Sequence, residues 1–278
     1  MRSGKEFVIV DGIEIGVQEG AVLSIENGRI RTLQEIQGLS KLVQLKALYL
    51  ECQNLNSMEG LGNLINLRDL RIYGSERLSK IEDLENLANL EYLDLGNNRI
   101  NRINGLETLK NLKVLNFMTP GTDSYGNPLQ KIEGLDQLTK LEVLDFFECG
   151  LTKIEGLENL TKLKSLNLGV NYIKEIEGLD NLVNLNKLYL QGNKISKIEG
   201  FENLRNLKEL RLEGNKISVI EGLDNLDKLE ILDVSWNDIK MAGKHYIKRE
   251  VISPYLKNLK SLKNFNCKPY PESEQYKM

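Results

Sequence analysis

Several residue types are nearly missing from this sequence. Its 278 residues include three cysteines, five prolines, one histidine and one tryptophan, and aromatics make up 6%. Cys52, Cys149 and Cys267 lie far apart, which excludes a disulfide framework or zinc-ligand spacing and fits a reducing compartment. His245 stands beside Lys244 and Lys248 and reads as a solvated side chain rather than a catalytic base. No phosphate-binding Gly-Lys-Ser/Thr loop and no G-x-G-x-x-G follows a strand pattern. No apolar run reaches the roughly 18 residues of a membrane span, and Met1-Arg2-Ser3-Gly4-Lys5-Glu6 lacks the apolar core of a signal peptide. The expectation is therefore a cytoplasmic chain with no membrane contact. Lys plus Arg is 37 against 40 for Asp plus Glu, a net charge of -3, which argues against a nucleic-acid partner held by overall basic charge. A local basic patch stays open. With 28% charged residues and few prolines, the chain is neither collagen-like nor a low-complexity coil.

What the sequence has in excess is leucine, 49 times, and asparagine, 29 times, and both recur with a period. Ile154-Glu155-Gly156-Leu157 returns at Ile176, Ile198 and Ile220, 22 residues apart each time. Earlier units begin at Ile36, Met58, Ile81, Ile103 and Ile132, and a worn tenth unit begins near Ser253. Each unit carries two hydrophobic periods. Leu157, Leu160 and Leu163 recur every three residues, which suits 3₁₀ or short helical turns. Leu166 and Leu168 alternate, as in a short strand with one buried face. No such unit can bury its leucines alone, so neighbours must stack: an α/β solenoid with a parallel sheet along one side and turns along the other. Asn98, Asn171, Asn193, Asn215 and Asn237 fall three residues after the last strand leucine. A buried turn there needs a group that both donates and accepts, and stacked amides would form a ladder.

The stretch Leu185-Asn186-Lys187-Leu188-Tyr189-Leu190-Gln191-Gly192-Asn193-Lys194-Ile195 resembles the leucine-rich repeat family. The 22-residue length and the Ile-Glu-Gly-Leu opening resemble the short subclass found in regulators of protein phosphatase one, and the bacterial internalins use a similar unit. The resemblance covers about residues 36–270. It implies a right-handed horseshoe that binds proteins on its concave sheet. It carries over no catalytic residue, since the motif is all scaffold.

An open solenoid needs polar caps. Residues 1–35 read as an N-terminal β cap, with hairpin signals at Asp11-Gly12 and Asn27-Gly28; a degenerate extra repeat around Ile25 and Ile30 is the alternative. Nine repeats follow over 36–252. From 238 onwards the chain is expected to cap the last coil, Asp238–Ile252 being compatible with an amphipathic helix, and 253–278 holds the worn repeat and a tail. Repeat four places Pro120 in the asparagine slot and carries seven extra residues within Thr119–Gln130, a loop that lies on the binding face or is merely tolerated. Cys149 takes the slot in repeat five.

Strand alternation turns every second side chain outward. The middle outward column reads Tyr49, Arg71, Asp94, Asn116, Asp145, Asn167, Tyr189, Arg211 and Asp233. With the two flanking columns it holds seven acids and three bases, so the expected partner is a protein with a basic or mixed surface. Tyr92, Asp94, Asn116, Met118, Asp145 and Phe147 form the first candidate patch, beside the long loop; Tyr189, Arg211, Glu213 and Trp236 form a second. Asp94 and Asp145 lie on an open sheet with nothing to exclude water, so no enzymatic role, cofactor or metal is expected. The sequence reads as a monomeric, non-catalytic scaffold or regulator, phosphatase-regulator-like. The alternative is a secreted or surface-exposed recognition module of internalin type, and a structural coil in a larger assembly is a third.

Overall fold

A computed structural model describes residues 6–119, 126–239, 256 and 258–268. The chain opens with a hairpin of β1 (Phe7–Val10) and β2 (Ile13–Gly16), paired antiparallel around Asp11 and Gly12, both with positive φ. Then β3 (Val22–Glu26) starts a sheet that continues through β4 (Ala47–Glu51), β5 (Asp69–Tyr73), β6 (Tyr92–Asp94) and β7 (Val114–Asn116). It goes on through β8 (Val143–Asp145), β9 (Ser165–Asn167), β10 (Lys187–Tyr189), β11 (Glu209–Arg211), β12 (Ile231–Asp233) and β13 (Asn264–Asn266). These 11 strands lie side by side in chain order. Every neighbouring pair is parallel and in register, so Leu144, Leu166, Leu188 and Leu210 are direct partners. The protein is a stacked-coil solenoid, and its core is a tube of leucines with near-zero exposure running its whole length.

Three local outcomes differ from the sequence reading. The second hairpin does not form, and the arrangement is that of the alternative, an extra degenerate repeat: Asn27 turns the chain at φ 55, and β3 pairs parallel with β4, with Leu23, Ile25, Ile30 and Leu33 in the common core. Asn-Gly is a local signal, and the inward row of apolar residues outweighs it. On the back, only Leu33–Glu35 and Leu39–Lys41 are 3₁₀ among the described residues. Elsewhere Leu160 N–H donates to Leu157 C=O at 3.0 Å and Leu163 N–H to Leu160 C=O at 2.9 Å. Only the leucines close these i+3 bonds, which makes successive single turns with a period of three.

The third outcome concerns repeat four, where the asparagine slot is filled not by Pro120 but by Asn127, seven residues later. Asn127 is fully buried; its Oδ1 accepts from Ile100 N–H at 2.9 Å, and its Nδ2 donates to Leu95 C=O at 2.8 Å and Phe117 C=O at 3.0 Å. Asn193 makes the same set, accepting from Ile173 N–H and donating to Leu168 and Leu190 C=O. The whole insertion therefore precedes the slot. Pro120 itself, His245, the charged segment from residue 240 to 255 and the tail lie outside the described residues. The worn last repeat contributes β13, and Leu259 is buried against the core.

Two further rows of asparagine hold the back together. Asn181 and Asn203 donate to Glu158 and Asp180 C=O one coil earlier; Asn184 and Asn206 donate likewise to Thr161 and Val183 C=O. The Ile-Glu-Gly-Leu glycine is also a contact between coils. At Gly178 φ is +68, and a Cβ would lie 2.8 Å from Ile154 O. Asp83 replaces that glycine in repeat three, at φ 60, and its Oδ2 accepts the N–H groups of Gly60, Leu61 and Gly62. Three charge-assisted bonds offset the strained backbone.

Replacing Asn127 by Ala leaves the buried Ile100 N–H without its acceptor and takes one of two donors from Leu95 C=O and Phe117 C=O, which keep Asn98 Nδ2 and Cys149 Sγ, a cost of about 2 kcal/mol. Asn101→Ala, at an exposed position, is expected to change stability by less than about 0.5 kcal/mol. Urea denaturation of both variants checks this; equal midpoints would contradict it.

Candidate protein-recognition face

The outward side chains of the strands form a face whose members are half-buried by their neighbours rather than freely solvated. Tyr92 and Asp94 sit on β6, Asn116 on β7 and Asp145 on β8, and Asp94, Asn116 and Asp145 are direct partners across the three strands. Met118 and Phe147 follow β7 and β8, so the first candidate group is brought together. Tyr189 on β10 pairs with Arg211 on β11, with Glu213 just beyond. Trp236 is not in a strand column; it lies in the turn after β12 at φ 57, 43% exposed, on the rim.

The middle column has a structural duty that alternation alone does not reveal. Asp94 Oδ1 accepts from Gly96 N–H at 2.9 Å, Asn116 Oδ1 from Met118 N–H at 2.8 Å and Asp145 Oδ1 from Phe147 N–H at 2.9 Å. Asn167 and Asp233 do the same. These strands are three residues long, and the side chain takes up the N–H at which the strand ends. Asp and Asn serve this purpose equally, so the charge of Asp94 and Asp145 is surplus to it. Burial pushes both carboxyl groups above their ordinary range, and at Asp145 the charge of Asp94 adds to the rise. Glu213 is likewise raised by burial, and its Oε2, like Oε1 of Gln191, is buried with no hydrogen-bond partner among the described residues.

One cluster escaped the sequence reading. Arg71 grips Asp69 through two bonds, Nε to Oδ1 at 3.0 Å and Nη2 to Oδ2 at 2.9 Å. Its guanidinium lies 4.7 Å from the Tyr49 ring centre and 4.4 Å from that of Tyr92, while Tyr49 Oη donates to Asp69 Oδ2. At the other end Tyr189 Oη donates to Glu209 Oε2 and Arg211 Nε to Glu209 Oε1. The signal was present: in both places an acid follows the tyrosine by 20 residues and an arginine by 22. In each cluster the arginine is neutralised from within the face. Across β6–β9, by contrast, the outward columns hold Asp94 and Asp145 and no Lys or Arg.

Among the described residues no group of three His, Cys, Asp or Glu is placed to hold a metal ion. Cys52, Cys149 and Cys267 are free thiols; burial pushes Cys52 up to about 11 and Cys267 to about 12. Cys149 Sγ donates to Phe117 C=O at 3.4 Å, a stand-in for the missing amide of that coil.

Family profiles described as leucine-rich repeats match residues 88–137, 139–181, 161–205 and 183–218, and a further one matches 227–243. The chain belongs to the leucine-rich repeat family. No curated protein sequence matches it. Among solved structures it is similar to an internalin, InlF, from Listeria monocytogenes, at 25% identity over 92% of this chain and 76% of that one, with a TM-score of 0.66. The functional domain of InlJ from Listeria monocytogenes shares the fold at 21% identity, covering 89% of this chain and 53% of that one, with a TM-score of 0.64. A TLR13–ssRNA13 complex matches at 25% identity over 87% of this chain and 35% of TLR13, with a TM-score of 0.71. With RNA in that complex, the family gives no support to the expectation that nucleic acid is excluded.

Asp145→Asn keeps an acceptor for Phe147 N–H, gives up the bond that Oδ2 accepts from Asn167 Nδ2 at 3.0 Å, and removes a charge that burial disfavours. An acid whose folded pKa is raised binds its proton more tightly in the native state, so the wild type loses stability as pH rises through that raised range. Wild type is therefore expected to gain stability in urea relative to the variant as pH falls through that range. A difference between the two that does not change with pH, or that changes in the opposite sense, would contradict the assignment.

Proposed function

We propose that this protein is a non-catalytic recognition scaffold that holds a folded protein against its outward sheet face, the partner presenting a basic or mixed surface. The observation that carries this reading is the centre of the face: Asp94 and Asp145 flank Asn116 in register, and no cation shares the columns of β6–β9. Val114, Val143, Met118 and Phe147 surround them with apolar surface, half-buried and available to the stem of a long basic side chain. Tyr92 and the tyrosine–acid–arginine clusters supply rigid aromatic and guanidinium groups of the kind that dominate binding energy. A phosphatase-regulator-like role inside the cell fits the 22-residue unit and the three free thiols. A second reading, a surface or secreted recognition module, is favoured by the likeness to InlF.

Affinity capture from a lysate of the source cells, with the wild-type chain beside a Met118→Ala/Phe147→Ala variant, tests the reading. A protein retained by wild type and weakened more than tenfold by the variant, with unchanged circular dichroism, is the expected outcome. Equal retention would remove this patch, and a retained species destroyed by ribonuclease would replace the protein partner by RNA.

A further inference from the structure

The near-neutral total hides two opposite charges on the two long edges of the back. Consider the coil that leads into β9. Glu155 and Glu158 stand on one edge, the buried Leu160 lies between, and Thr161, Lys162 and Lys164 stand on the other edge next to the sheet. The same offsets from the first strand residue, read over the nine coils ending in β4–β12, give fourteen acids and no base on the first edge; five exposed bases stand two residues before that column, and two of them, Arg102 and Lys131, are paired with Glu133. On the second edge they give ten Lys or Arg and four acids. Three of those four acids, Glu91, Glu142 and Glu230, are tied to Lys113, Lys164 and Lys263 and held below the usual carboxylate range by them. The basic edge also carries exposed Val43, Ile65 and Val183 but no aromatic residue on which a nucleic-acid base could stack.

Both edges advance by one position per coil, because both are written by the same 22-residue unit. A partner whose negative charges repeat with that step is another copy of this chain. We propose that two copies associate side by side, the basic edge of one against the acidic edge of the next, coil for coil. Each exposed pair is weak and screened by salt, so the association depends on many pairs in register and on low ionic strength. The contact is heterologous: each copy keeps one free edge of either sign and can take a further neighbour. The outward sheet faces stay uncovered, so this interface is independent of the proposed function. The single chain expected from the sequence is then the high-salt state.

Sedimentation velocity tests this on the full chain and on two variants. Lys162→Glu/Arg205→Glu/Lys208→Glu makes the basic edge acidic, and Glu155→Lys/Glu177→Lys/Glu199→Lys makes the acidic edge basic. All six positions are exposed. In about 0.01 M salt, where the screening length is about 30 Å, wild type is expected to sediment as a larger species, and in about 1 M salt as single chains. Each variant alone is expected to stay single in low salt, and an equimolar mixture of the two to associate again. Wild type that stays single in low salt, variants that associate as wild type does, or a mixture no larger than its parts would overturn the proposal. A wild type that stays single but shifts on adding single-stranded RNA would overturn it in favour of a polyanion on the basic edge.

Discussion

The buried asparagine amide is the link on which the rest of the structure depends. At the end of each strand the chain turns inward among leucines, where an unpaired backbone group is costly. One amide accepts from a neighbouring coil and donates to its own coil and the one before, as Asn171 does with Leu151 N–H, Leu168 C=O and Phe146 C=O. No coil supplies this alone. Because the bond runs between coils at one fixed position, it holds successive strands in register, and register aligns the outward columns. The alignment of the outward face is thus a consequence of how the turns are satisfied. Cys149 shows the same demand met by other means where the usual asparagine is absent.

The period, the strands, their parallel order and the buried leucines are legible in the sequence because each depends on the repeat itself. What was not legible depends on contacts between coils. Counting three residues past Phe117 lands on Pro120, and only the stacked geometry shows that Asn127 can reach back to Leu95 across the insertion. The asparagines on the back look like turn formers until Asn184 is seen donating to Thr161 C=O. The hairpin signal at Asn27-Gly28 misled because the pull of Leu23 and Ile25 into the common core is not local.

The candidate face was legible in part. Alternation correctly puts Asp94, Asn116 and Asp145 side by side. It overstates their exposure, since outward side chains on closely spaced strands shelter one another, and it gives no hint of their bonds to the N–H two residues on. That duty separates what the fold requires at these sites, an acceptor oxygen, from what it leaves open, the charge. The choice of Asp over Asn at positions 94 and 145 is therefore where recognition can be written without disturbing the scaffold. Along the two edges of the back the same holds: the fold fixes the leucines and asparagines, and the positions between them carry sign.

Amide hydrogen exchange on the folded chain tests the central link most directly. The N–H groups of Ile100, Ile173 and Ile195 lie outside any strand, and their acceptors are the side chains of Asn127, Asn193 and Asn215. If those amides close the coils, all three are protected to the same degree as the strand amides of Leu166 and Leu188. Exchange at the rate of an exposed loop would show that the coils are held by strand pairing and leucine packing without these amides, and would contradict the account.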